Sequence, residues 1–155
     1  MGFDLEKLRK ATFTDRTGKV PVPDLAGEWF KKGDTPEFIV RGLSGMEMAS
    51  VNDAVLRNRN LKEMLDGVSA FSSETAEYIK AKLFVDGKMP DKAAKEIEVM
   101  KIGSVSPDFE HIDAVNFYVN YPVESTDTIN KIWSLTGKGR LPGEFKPSGK
   151  KTKSK

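Results

Sequence analysis

The sequence contains no cysteine and only one histidine among its 155 residues. Without cysteine the chain can form neither disulfide bonds nor thiolate metal sites, which fits a reducing cytoplasm. The single histidine, His111, has no second histidine three or four residues away, so we expect it to bind no metal. No apolar run approaches the ~18 residues that a membrane-spanning helix needs, and the N-terminus lacks the apolar segment of a signal peptide. These absences favour a cytoplasmic protein that does not contact membranes.

Motifs of enzymes and nucleotide-binding proteins are also missing. The stretch "GEFKPSGKKT" resembles a phosphate-binding loop, but its first glycine lies one position too early and Lys151 replaces the required serine or threonine. Five carboxylates could in principle form an acid and base pair, but acidic residues in the first turn of a helix are also what the helix dipole favours. These carboxylates are Glu96, Glu98, Asp108, Glu110 and Asp113. We therefore predict no enzyme activity, no catalytic residue, no cofactor and no metal site.

Charge is divided unevenly along the chain. The sequence carries 25 basic and 23 acidic residues, and five of the lysines lie in residues 146–155. Without those five lysines, 20 basic residues face 23 acidic ones, which gives the rest of the chain a net charge of −3. The basic end has no aromatic residue for stacking on bases, so nucleic-acid binding is the less favoured interpretation.

The patterns predict one α+β domain over residues 1–138, with a β-rich part at 12–42 and a helical part at 44–137. Glycines and prolines interrupt the β-rich part, where Phe38 and Val40 alternate with polar or exposed positions as in a half-buried strand. Val20 and Val22 lie next to prolines, which places them on an edge strand. "DRTGK" is typical of a hairpin turn. Residues 139–155, rich in glycine, proline and lysine, are predicted to form a flexible basic tail.

Five helices are predicted in the helical part. The first begins at Ser44, where Ser44 and Glu47 match the capping box, a reciprocal pair of bonds between two side chains and two backbone amides. The second follows Ser73 and ends near Gly87. The others are expected from Asp91 to about Ile102, from Ser106-Pro107-Asp108 to Pro122, and from Ser125 or Thr126 to Gly137.

The fourth predicted helix is apolar on two sides. Ile112, Val115 and Val119 form one side, and an aromatic side contains Phe117, Tyr118 and Tyr121. Such a helix is either buried on both sides within the domain or presents its aromatic side to another polypeptide. We keep both interpretations, and the partner-binding candidates are Phe117, Tyr118, Tyr121 and Trp133.

The stretch "EFIVRGLSGMEMASVNDA" resembles the tail assembly chaperones of long-tailed bacteriophages. In that family a strand of the form f-x-v-r-x-L-t/s-x-x-E leads into the first helix. The matching positions here are Phe38, Val40, Arg41, Leu43, Ser44 and Glu47. The resemblance covers about twenty residues closely, and the rest of the chain only in layout and length.

The resemblance implies a protein without enzymatic activity that works in the host cell cytoplasm. Such chaperones transiently coat the tape measure protein, keep it soluble and help to recruit tail tube protein as the tube polymerises. A homo-oligomer is compatible with this role. Two alternatives from other classes are a structural virion component, such as a connector or tail-completion protein, and a nucleic-acid-associated regulator that uses the lysine tail.

Overall fold

The computed structural model describes residues 2–69, 74 and 89–143. Within these ranges the protein is an α+β fold with a helical majority, as the sequence predicts. The helices are α1 (Leu5–Lys10), α2 (Ala26–Trp29), α3 (Gly45–Ser69), α4 (Asp91–Gly103), α5 (His111–Asn120) and α6 (Pro122–Thr136). The strands are β1 (Phe13–Thr14), β2 (Thr17–Pro21), β3 (Glu37–Arg41), β4 (Ser104–Ser106) and β5 (Leu141–Pro142), and a 3-10 turn spans Pro23–Leu25.

The main sheet has three antiparallel strands in the order β2-β3-β4, so β3 lies at its centre. Val20 pairs with Phe38, and Val40 pairs with Ser104 across the other side of β3. Successive side chains of a strand point to opposite faces, which buries Phe38 and Val40 while their neighbours stay partly exposed. The predicted half-buried strand is therefore confirmed, as is the position of β2 at an edge.

The core lies between one face of this sheet and the helices. α6 contacts β2 and β3, and α4 contacts α3, α5 and α6. Ile97 and Met100 of α4 and Ile132 of α6 are almost completely buried. Burying apolar side chains of this size stabilises the fold by about 1.5–3 kcal/mol each, so the contact between α4 and α6 is a main source of stability.

The helix predicted to start at Ser44 does so, and its capping box is confirmed. The Ser44 amide donates to Glu47 Oε2 at 2.8 Å, and the Glu47 amide donates to Ser44 Oγ at 3.3 Å. α3 then continues without a break to Ser69. The helix predicted from Asp91 is also present as α4, whereas the helix predicted between Ser73 and Gly87 lies outside the described residues, apart from Glu74.

The predicted starts of the last two helices are wrong. Ser104–Ser106 forms β4 against β3, and α5 begins only at His111, where the Glu110 amide donates to Asp113 Oδ2 at 3.0 Å. α6 begins at Pro122 rather than at Ser125 or Thr126. The preference for proline at the first helical position therefore applies at Pro122, where the sequence predicts only the end of the preceding helix.

The predicted hairpin around "DRTGK" is also wrong, because β1 pairs with β5 and not with β2. The Arg140 guanidinium contacts Asp15 at 3.0 Å, and Arg16 donates to the Gly139 carbonyl at 2.9 Å. Residues 139–143, which the sequence assigned to the tail, thus belong to the folded part. Residues 144–155 lie outside the described ranges.

Candidate functional site

An open groove with a volume of about 770 Å³ lies between α2, β3, α5 and the loop that precedes α5. Its apolar surface is mainly aromatic. The aromatic residues that line it are Trp29, Phe30, Phe38, Phe109, Phe117 and Tyr121. A concave apolar surface with a few polar groups at its margin is the usual form of a binding site.

Phe38 is the centre of the groove's floor. Its ring centroid lies 6.3 Å from that of Phe30, 5.9 Å from Phe109 and 5.3 Å from Phe117. Phe38 itself is only 4% exposed, whereas the three surrounding rings are half-buried. Ring pairs at such distances are favourable beyond their buried area, so the floor is held in one arrangement by the fold.

The upper part of the groove is formed by Trp29 and Tyr121. Tyr121 stacks on Phe117 at a centroid distance of 5.2 Å, because it caps the C-terminal end of α5 four residues after Phe117 and its amide donates to the Phe117 carbonyl. Trp29 meets Tyr121 edge to face at 6.5 Å, and its indole N–H donates to the tyrosine hydroxyl at 2.7 Å. The rest of the indole faces solvent, since Trp29 remains 67% exposed.

Trp29 reaches this position through the segment between β2 and β3. The Val22 amide donates to the Pro36 carbonyl at 2.8 Å, which closes the segment at its base. The 3-10 turn at Pro23–Leu25 then buries Leu25 and leads directly into the four-residue helix α2. This short helix ends at Trp29 and places the indole beside α5.

Polar side chains form the margin of the groove. They are the carboxylates of Glu37, Asp108 and Asp113, the amides of Asn116 and Asn120, and the hydroxyl of Ser106. Glu37 forms an ion pair with Lys19 at 3.0 Å, and Asp113 caps α5. Asp108 is exposed and has no hydrogen bond or ion pair with the part of the chain that is described.

The structure brings two of the four partner-binding candidates together. Phe117 and Tyr121 lie in the groove, whereas Tyr118 turns toward α4 and donates its hydroxyl to Glu96 Oε2 at 2.5 Å. Partial burial, together with this bond, raises the pKa of Tyr118 to about 12. Trp133 is half-buried and packs against the core from α6.

Sequence reasoning missed Trp29, Phe30, Phe38 and Phe109 as members of the groove. Trp29 and Phe30 are adjacent aromatic residues in a segment that is rich in glycine and proline, a signal that could have marked an exposed aromatic site. In the sequence, Phe38 is a strand residue and one of the positions that carry the resemblance, and neither feature marks it as part of a groove. Nothing in the local sequence places Phe109 opposite Phe38, because that contact depends on the pairing of β4 with β3.

The stretch that resembles the phage chaperones forms a polar cluster at the other end of β3. Arg41 donates through both terminal nitrogens to the Glu47 carboxylate at 2.8 Å, and it also lies 3.8 Å from Asp15. The hydrogen bonds from Arg41, supported by those of Ser44, lower the pKa of Glu47, and the same contact raises the pKa of Arg41. Ser44 and Glu47 therefore fix the turn from β3 into α3.

His111 lies at the start of α5, near Glu98, Lys101 and Arg57. Partial burial and the positive charges of Lys101 and Arg57 lower its pKa, which favours a neutral imidazole. Glu98 is buried and contacts Arg57 at 3.5 Å and Lys101 at 3.9 Å, so its charge is balanced within the fold. Within residues 2–69 and 89–143, no group of three or more acidic or histidine side chains could hold a metal ion.

Comparisons with protein-family models, with curated proteins and with solved structures returned no match. A search of the described helices found none that is both long and apolar enough to span a bilayer.

Proposed function

We propose that this protein is a phage tail assembly chaperone that acts by binding and not by catalysis. In this proposal it covers apolar segments of the tape measure protein in the host cell cytoplasm and helps to recruit tail tube subunits. The observation that carries the proposal is the aromatic groove, where an exposed tryptophan lies beside half-buried phenylalanine rings that surround the buried Phe38.

The groove has the properties that an apolar helix needs in a binding surface. Exposed Trp and Tyr side chains supply large contact areas at a low cost in side-chain entropy, and they are enriched where proteins meet. A helix with one apolar stripe can place side chains from successive turns along such a groove. The buried Phe38 contacts the three half-buried rings around it, so the surface that these rings offer needs no rearrangement before binding.

The stretch at residues 37–47 supports the same proposal independently. The resemblance implies a strand that leads directly into a helix, and here β3 is followed by α3 after a three-residue turn, although the shorter helices α1 and α2 precede α3 in the chain. Arg41, Ser44 and Glu47, three of the residues that carry the resemblance, bond to one another. Their side chains hold this turn together and are not available for a partner.

Co-expression with the tape measure protein of the same genome tests the proposal. We expect the tape measure protein to aggregate alone, and to stay soluble and co-purify when this chain is present. Trp29→Ala should weaken that effect, because it removes the largest exposed ring of the groove. Val119→Ala is the matched control, since Val119 lies on α5, is 68% exposed and does not line the groove.

Two results would argue against the proposal. If the tape measure protein aggregates whether or not this chain is present, the chaperone function is refuted. If this chain is instead a stoichiometric part of purified virions, the structural alternative replaces it, because a chaperone leaves the assembled tail.

A further inference from the structure

The charge of the groove is of one sign. Among the residues that the structure describes, its lining contains three carboxylates, from Glu37, Asp108 and Asp113, and no lysine, arginine or histidine. Asp113 accepts a hydrogen bond from the Glu110 amide at the start of α5, which partly balances its negative charge. Lys19, which does not line the groove, balances the charge of Glu37. Asp108 has no such partner in the described chain. The margin of the groove is therefore acidic above an aromatic floor.

Both parts of the groove favour the same kind of ligand. The face of an aromatic ring attracts cations, and the attraction is greatest for an indole. The exposed indole of Trp29 and the carboxylate of Asp108 line the same groove, so each of them favours positive side chains on a bound segment. An anionic side chain at that place would be repelled by the carboxylates and by the ring faces.

The apolar floor adds a second requirement. Phe30, Phe109 and Phe117 are half-buried around Phe38, and the water on these rings is released only when an apolar group covers them. A segment made only of lysines would leave that surface uncovered. A segment that is apolar but acidic would cover the rings, but the carboxylates at the margin of the groove would repel it.

We infer that the groove binds a polypeptide segment in which large apolar side chains are flanked by lysine or arginine. The inference deepens the proposed function and rests on it, since it names the chemistry of the tape measure segment that this site would select. The volume of about 770 Å³ is enough for several side chains of such a segment.

Synthetic helical peptides of about 18 residues test this inference on the full-length protein. Three peptides carry the same leucine and phenylalanine stripe and differ only in flanking residues, which are lysine, glutamine or glutamate. A fourth keeps the lysines and replaces the stripe by serine. We expect the lysine peptide with the stripe to bind about tenfold more tightly than the glutamate peptide, and the serine peptide to bind weakest.

Calorimetry measures the affinities, and tryptophan fluorescence tests whether the peptide binds in the groove. The chain has two tryptophans, and only Trp29 lines the groove. Binding in the groove should therefore change an emission signal that Trp29→Phe abolishes. A signal that persists in Trp29→Phe would place the peptide elsewhere and overturn the inference.

The double variant Glu37→Gln, Asp108→Asn tests the acidic margin. We expect it to lose most of the preference for lysine over glutamate while keeping its affinity for the glutamine peptide. The control is Asp53→Asn, Asp127→Asn, which removes the same number of charges from exposed positions on α3 and α6 outside the groove. Equal loss of preference in both double variants would show a long-range effect of net charge and overturn the inference.

The same variants separate this inference from the proposed function. If wild-type protein and the Glu37→Gln, Asp108→Asn variant keep the tape measure protein soluble equally well, the chaperone function stands and the charge selection is refuted. If the peptides show the expected preference while the tape measure protein aggregates regardless, the chemistry of the groove stands and the chaperone function is refuted.

Discussion

Gly42 provides a direct test of how β3 and α3 are held against α6. A Cβ atom at Gly42 would lie 2.9 Å from the carbonyl carbon of Leu135 and 2.9 Å from the amide nitrogen of Thr136. Both are backbone atoms inside α6, so neither can turn aside as a flexible side chain would. We therefore expect Gly42→Ala to push the turn that follows β3 away from α6.

The cost can be worked out from three contributions. Overpacking a well-packed site typically costs about 1–3 kcal/mol. Separation also strains the bond in which the Leu43 amide donates to Thr136 Oγ1 at 2.9 Å, and such a bond contributes about 1 kcal/mol. The lower chain entropy of alanine in the unfolded state returns about 0.5–1 kcal/mol. We expect a net loss of about 1–3.5 kcal/mol, which a domain of ordinary stability survives.

Gly45→Ala, three residues further along, is the matched control. A Cβ atom at Gly45 meets nothing within 4 Å, and the residue opens α3. Here alanine should be neutral or stabilising by up to about 1 kcal/mol. Urea unfolding followed by circular dichroism measures both variants, and the midpoint of Gly42→Ala should fall by about 1 M with an unchanged slope. Equal midpoints for the two variants would refute the packing of this turn against α6.

Two further predictions concern titrating groups. Because Arg41 lowers the pKa of Glu47, the stabilisation from this pair is present at neutral pH and is lost as the pH falls below the ordinary carboxyl value of about 4.5. Glu47→Gln should therefore cost about 1–2 kcal/mol at pH 7, and this cost should shrink progressively as the pH falls below about 4.5, measured by urea unfolding. Because the pKa of Tyr118 is raised to about 12, folding favours the neutral phenol, and stability should fall between about pH 10 and pH 12. Tyr118→Phe should remove that fall and cost about 1 kcal/mol at pH 7 through the lost bond to Glu96.

Each of these predictions has a clear contrary result. A Glu47→Gln penalty that stays constant from pH 7 to pH 3 would show that the charge of Glu47 does not contribute to stability. For Tyr118, the comparison is between wild-type protein and Tyr118→Phe at each pH, because lysines also titrate in that range. Parallel losses of stability in the two proteins would contradict the raised pKa.

The elements that could be predicted from the sequence are those whose signals lie within a few residues. Ser44 and Glu47 satisfy the same capping box in sequence and structure. The alternation of buried Phe38 and Val40 with partly exposed Ile39 and Arg41 follows from strand geometry alone. α4 begins at Asp91 for a similarly local reason, since Pro90 is the last residue before the helix.

The elements that could not be predicted depend on contacts between distant residues. The local sequences at Pro107 and Pro122 both match the pattern of a proline that opens a helix. Only Pro122 does so, because the pairing of β4 with β3 leaves Pro107 in the loop before α5. Similarly, β1 pairs with β5, whose neighbour Arg140 bonds to Asp15 across 125 residues of sequence. No local pattern encodes such a partner.

The two sides of the groove are held by different numbers of contacts. Phe38 and Phe117 lie on β3 and α5, which are held by the sheet and by α4 and α6. Trp29 lies at the end of a four-residue helix, where its bond and ring contact with Tyr121 tie it to α5. Short segments with few buried contacts open at low free energy. In the proposed chaperone function, a fixed floor beside a more loosely held tryptophan would allow the groove to accept apolar segments of different shapes and to release them again.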